Sequence, residues 1–168
     1  MAMMRVFSCF LVLAVLAGCA SYDGRGLVPG KSTGMDVEKL MGAPAERLAN
    51  ADGGSTWFYP RGPNGRHTYA VAVGADGVMR GIEQRLTPEN VQKLVRGQTT
   101  AKQVREILGP PNLIARAPRQ PFDVWEYRTL LVEEKRVLWV EIADDGLVRG
   151  VLEMHDQSTD PPGAAVLP

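Results

Sequence analysis

The stretch with the most chemical promise is "LVPGKSTG" (residues 27–34), where Gly30-Lys31-Ser32 reads like the end of a phosphate-cradling loop. That chemistry needs a first glycine five residues before Gly30, so that the loop curls and successive backbone N–H groups face the phosphates. Arg25 stands there, with Gly24 and Gly26 one position off on either side, and no apolar run precedes it to form a supporting strand. Spacing and context both exclude a nucleotide-binding loop. Hydrolytic and metal chemistry fare no better. A site of that kind needs convergent nucleophiles, bases or ligands. The two histidines, His67 and His155, lie far apart, and no H-x-x-x-H, C-x-x-C or G-x-S-x-G pattern occurs. After the leader, serines occur only at Ser21, Ser32, Ser55 and Ser158, and the carboxylate pairs Glu133-Glu134 and Asp144-Asp145 fall at turns, where solvated charge is the ordinary explanation. A hydrolase built on His67 would lack partners. The expectation is a protein with no enzymatic activity, no cofactor, no metal and no small-molecule substrate.

One residue does carry chemistry, and it is Cys19. Residues 1–18 hold a basic Arg5 and an eleven-residue apolar run, Val6 to Leu16. That is short of the about 20 residues needed to span a bilayer but suits the apolar region of a secretory signal. It ends Leu16-Ala17-Gly18-Cys19, which resembles the lipobox of bacterial lipoproteins. Cys9 lies in the segment to be removed, so Cys19 would be the lone cysteine of the mature chain, without a disulfide partner in an oxidising compartment. The resemblance implies cleavage before Cys19 and acylation there. One acyl chain holds only marginally, whereas two or more hold stably, each buried CH₂ contributing about 0.8 kcal/mol. Ala20-Ser21 stand where an Asp commonly retains such proteins at the inner membrane, so the resemblance implies anchorage to the outer membrane, facing the periplasm.

The elements that follow come in two copies. Residues 27–44 align with 94–111 at a shift of 67, Trp57-Phe58-Tyr59 with Trp125-Glu126-Tyr127 at 68, and "DGVMRGI" (76–82) with "DGLVRGV" (145–151) at 69. Such ordered matches mark an internal repeat. Lys31 becomes Gln98 in the second copy, so what the copies share in that stretch is structural. Thr33 and Thr100 suit helix N-caps, with Asp36 and Gln103 completing capping boxes. Val37, Leu40 and Met41, like Val104, Ile107 and Leu108, fall at i, i+3, i+4 and form one apolar face. Gly42 and Gly109 stop the helices. A further helix in the second copy, capped by Thr87 with Pro88 first, is expected to end at Gly97, its counterpart in the first copy being short or missing. Three strands per copy follow: 56–59, 67–73 and 78–84, then 124–131, 136–142 and 147–154. The expected fold class is α+β, two α-α-β-β-β modules with helices packed on antiparallel three-stranded meanders. The boundaries read as a signal peptide at 1–18, a tether at 19–26, modules at 27–86 and 87–154, and a disordered tail at 155–168. Removing Arg5 leaves 18 basic side chains against 19 acidic ones, not the basic excess of a nucleic-acid binder.

A lipobox, a G-x-[ST]-T-x-x-x-V-x-x-[LI]-[ML]-G-x-P helix entry, a W-x-Y strand and a D-G-x-[VM] hairpin together resemble the BamE (SmpA/OmlA) family, outer-membrane lipoproteins of the β-barrel assembly machinery. The resemblance implies a periplasm-facing module that binds other envelope proteins and supports outer-membrane protein assembly or envelope integrity. That family has one module where this chain has two. A tandem pair is similar to the secreted β-lactamase inhibitor proteins, which implies the alternative of an inhibitor-like binder of a periplasmic enzyme. Candidate partner-binding residues are Trp139, Phe58, Arg80 and Arg149. Trp139 breaks the repeat, replacing Ala70 on the strand face opposite Leu138 and Val140. It would either meet a partner, as exposed Trp does at hot spots, or be buried between the modules. Arg80 and Arg149 recur after the hairpin, as solvated charge or as contacts to a partner acid or anionic headgroups.

Overall fold

In each repeat a threonine stops the chain from running on extended and starts a helix. The Thr33 side chain accepts from the Asp36 N–H while the Asp36 carboxylate takes the Thr33 N–H, and Thr100 and Gln103 repeat the box. Two of the orphan donors at each helix start are thereby satisfied. The helices are α1 (Gly34–Met41) and α3 (Ala101–Leu108), ended by Gly42 and Gly109 at φ +79° and +84°. The computed structural model describes residues 23–62, 65–116, 118–131 and 134–156. The signal segment, Cys19 and residues 157–168 lie outside the described residues.

Antiparallel strands β1 (Glu46–Ala49), β2 (Ser55–Arg61), β3 (His67–Val73) and β4 (Met79–Gln84) form one sheet in that order. A one-turn helix, α2 (Pro88–Val91), leads into α3, after which β5 (Leu113–Ala115), β6 (Phe122–Leu131), β7 (Glu134–Ala143) and β8 (Val148–His155) form the second sheet. The architecture is α+β with two antiparallel sheets. Each has four strands rather than the expected three. The extra strands, β1 and β5, are short edge elements with half-exposed or exposed side chains and no apolar run to announce them. The helix expected from Thr87 to Gly97 also shrinks to one turn. Thr87 caps it with Pro88 in place, but Gly97 gives its N–H to Val148 O and Thr99 O receives the Val148 N–H, which draws residues 97–99 onto β8.

The repeat extends to irregularities. Both sheets carry a bulge at the same point, between Ala72 and Val73 in β3 and between Glu141 and Ile142 in β7. Side chains from the helices meet one face of each sheet: Val37 and Met41 with Trp57, Tyr59, Val71 and Val73, and Val104 and Leu108 with Trp125, Tyr127, Leu138 and Val140. Leu86, at the end of the first module in sequence, is buried in the second core.

The modules meet through the opposite face of the first sheet. Phe58 and Ala70, paired across β2 and β3, point there and are buried. The end of α3 lies against Phe58 and Thr68 of this face: a Cβ built on Gly109 would come within 2.9 Å of Phe58 Cδ1 and 2.7 Å of Thr68 Cγ2. Arg105 Nη1 donates to Glu46 Oε2 at 2.6 Å beside this seat. Arg66, just before β3, donates to Thr129 O at 3.1 Å and to the carboxylate of Asp156. Asp156, placed in a disordered tail on composition, is thus a buried anchor, and β8 runs through His155.

Candidate interaction surface

Four residues line up across the second sheet: Leu113 opposite Glu126, Glu126 opposite Trp139, and Trp139 opposite Leu152. Period two puts them all on the face away from the core. Leu113, Trp139 and Leu152 are 54%, 38% and 44% exposed, so Trp139 is not buried between the modules. Glu126 sits among them, its Oε2 accepting from Trp139 Nε1 at 3.3 Å and its Oε1 from Arg128 Nε at 3.1 Å. This pins the indole edge and leaves the ring open. Beside the row, Asn112, Leu113, Glu126 and Arg128 line an open depression of about 260 Å³.

The matching row of the first sheet is Glu46, Phe58, Ala70 and Glu83. Its one large apolar member is capped by the next module, and its outer members are charged. In the second sheet the same positions hold Leu, Glu, Trp and Leu. Three of these positions hold larger apolar side chains, on a face left exposed among the described residues.

The structure separates the other candidates. Phe58 is fully buried under Gly109, which removes it from any partner surface and corrects the expectation from sequence. Arg149 shares the outer face with Trp139; its guanidinium lies over the Phe122 ring at 4.4 Å and faces Glu141 at 4.0 Å. Arg80 instead folds back on its own turn, donating to Asp76 Oδ2 at 2.7 Å, and the Val78 N–H together with this guanidinium holds the Asp76 carboxyl below its ordinary pKa. Arg80 and Arg149 are therefore equivalent in sequence but not in role. His67 stacks on Tyr69 with ring centroids 6.3 Å apart.

The Gly30-Lys31-Ser32 stretch has a structural explanation. The N–H of Gly30 goes to Met79 O, those of Lys31 and Ser32 to Val28 O, that of Thr33 to Asp36 and that of Gly34 to Gly77 O. Five successive donors are consumed, so none remains for a phosphate. Gly97 and Ala101 repeat the ties to Val148 O and Gly146 O. The best-matched motifs of the repeat, the helix entry and the D-G hairpin, match because each is the other's hydrogen-bonding partner.

No family model matches the chain, and no curated protein matches it. Among solved structures, a DUF4309 family protein (YjgB) from Bacillus subtilis subsp. subtilis str. 168 is similar, with 22% identity over 79% of this chain and 84% of that one and a TM-score of 0.32. A superposition that loose establishes neither a shared fold nor a shared role.

Two features of this surface are not legible in the sequence. The apolar row needed the partners of Trp139, and β5, which contributes Leu113, was not foreseen. A signal lies in the difference between aligned copies, where Glu46, Ala70 and Glu83 of the first correspond to Leu113, Trp139 and Leu152 of the second. Among the described residues no group of three or more His, Cys, Asp or Glu could hold a metal ion, and no helix is long and apolar enough to cross a membrane.

Proposed function

We propose that the chain is a non-enzymatic lipoprotein, anchored through Cys19 to the periplasmic face of the outer membrane, that binds other envelope proteins through its second module. The observation that carries the binding role is the Leu113–Glu126–Trp139–Leu152 row: three large apolar side chains exposed on one sheet face among the described residues, with Glu126 between Leu113 and Trp139, and Arg128, Glu141 and Arg149 around them. Such patches on a soluble domain mark interaction sites, and a rigid, hydrogen-bonded Trp at the centre is the usual anchor. The lipobox supports the location. The BamE-like motifs support assembly or stabilisation of outer-membrane proteins as the process served, and a BamE-like fold for each module.

The test is affinity purification of the detergent-solubilised, membrane-bound protein with and without Trp139→Ala. Outer-membrane proteins or barrel-assembly subunits that co-purify only with the unaltered chain support this reading. Recovery of a single soluble periplasmic enzyme would instead support an inhibitor-like binder, which the tandem arrangement alone favours.

A further inference from the structure

The second sheet ends at β8, and among the described residues no strand lies beyond it. A sheet edge offers a line of backbone donors and acceptors that an extended chain can complete. Proteins blunt such edges by shortness, charge, bulges or cover, and the other three edges here show those devices. β5 has three residues and β1 four, with the exposed Arg47 held by Glu38. On β4 the N-terminal segment packs beside Ile82: Leu27 joins its core, and a Cβ on Gly24 would meet Ile82 Cδ1 at 2.8 Å.

β8 differs. It is eight residues long, contains no proline or lysine, and its pairing with β7 is irregular only near its start. Val148 is tied to Gly97 and Thr99, but from residue 150 to 154 the strand runs on as an edge among the described residues. Val151, the counterpart of the covered Ile82, is 36% exposed on one face, and Leu152 is 44% exposed on the other. A strand added beyond β8 would set one side chain next to Leu152, extending the row through Trp139 and Leu113, and its neighbours next to Val151 on the opposite face.

We propose that β8 is a strand-addition site, and that its ligand is an extended polypeptide segment with apolar side chains at alternate positions, the first of which joins the Trp139 row. Main-chain hydrogen bonds supply affinity, and the Leu152–Trp139 surface selects the side chain. This inference rests on the envelope-partner reading and specifies what in the partner is recognised. The strands of membrane β-barrels have such alternation.

The experiment is hydrogen exchange on the full-length, detergent-solubilised lipoprotein with a synthetic ten-residue peptide of alternating Val and Thr. The control has the same composition in two blocks. The expected result is at least about tenfold slower exchange of alternate amides in residues 149–154 with the alternating peptide alone, weakened about tenfold in apparent affinity by Leu152→Lys, since lysine is the usual edge protector. Equal slowing by the block peptide, slowing confined to β1, β4 or β5, or no slowing at millimolar peptide would overturn the proposal. Envelope proteins that co-purify through Trp139 without protection of β8 would sink strand addition and leave the proposed function standing. Protection of β8 without any envelope protein co-purifying would do the reverse.

Discussion

Arg66 and Asp156, ninety positions apart, form an ion pair with both side chains almost wholly buried, 5% and 3% exposed. The pair joins the start of β3 to the residue that follows β8, and Arg66 spends a second donor on Thr129 O. Two charges taken out of water cost several kcal/mol each, which mutual attraction offsets only while both are present.

Removing one partner should therefore be worse than removing both. Arg66→Met is expected to destabilise by about 3–5 kcal/mol, and Arg66→Met with Asp156→Leu by much less. Urea denaturation of the purified protein measures both. A double variant as unstable as the single one would mean that the contact with Thr129 O, not the ion pair, holds the modules.

Phe58 and Trp139 lie on equivalent sheet faces, and burial makes opposite predictions for them. Phe58→Ala should cost about 3–5 kcal/mol, the range for truncating a core aromatic. Trp139→Ala should shift the denaturation midpoint little and weaken partner binding by about 2 kcal/mol. A large stability loss at Trp139 would show that its ring is covered in solution.

Tyr59 and Tyr127 occupy the same repeat position with unequal hydrogen bonding. Tyr127 donates to Gly109 O at 3.1 Å, whereas the Tyr59 hydroxyl is buried without a partner among the described residues. Tyr127→Phe should cost about 1 kcal/mol and Tyr59→Phe nearly nothing. Burial raises both pKa values, that of Tyr59 to about 12 with Glu38 adding to the effect. The unfolded phenols ionise at about 10, so their stabilising contribution is intact below that pH and falls away as pH rises towards about 12. Midpoints measured from pH 9 to 12 should decline, less steeply in Tyr59→Phe.

Local physics explains what the sequence made legible. Thr33 and Thr100 announce their helices because a cap needs only four residues, and the Trp57/Tyr59 and Trp125/Tyr127 faces follow from period two. The strand His67–Val73 has the bounds its alternation predicts. Non-local pairing explains what was hidden. β1 and β5 exist because β2 and β6 present an edge, not because Glu46–Ala49 or Leu113–Ala115 favour a strand. Phe58 could be assigned a face, yet nothing near it in sequence says that Gly109 lies on top. Asp156 looked like part of a polar tail because its partner is ninety residues away.

Gly42 and Gly109 give the sharpest test of the module contact, because their backbones match and their surroundings do not. Both sit at positive φ with ψ near 180°, −172° and −168°, a region open essentially to glycine alone. Alanine at Gly42 meets no atom within 4 Å, so Gly42→Ala should cost only backbone strain, about 1–3 kcal/mol. Alanine at Gly109 pays the same strain and also drives its Cβ to 2.7 Å from Thr68 and 2.9 Å from Phe58. That overpacking should add about 1–3 kcal/mol. The difference between the two midpoints isolates the contact between modules from the conformation of the turn. In a Phe58→Leu background, with a smaller side chain under Gly109, the difference should shrink, since residues in contact are not additive. Equal costs at Gly42 and Gly109 in the unaltered chain would mean that α3 does not press on the first sheet in solution. The first sheet's outer face would then be as open to partners as the second.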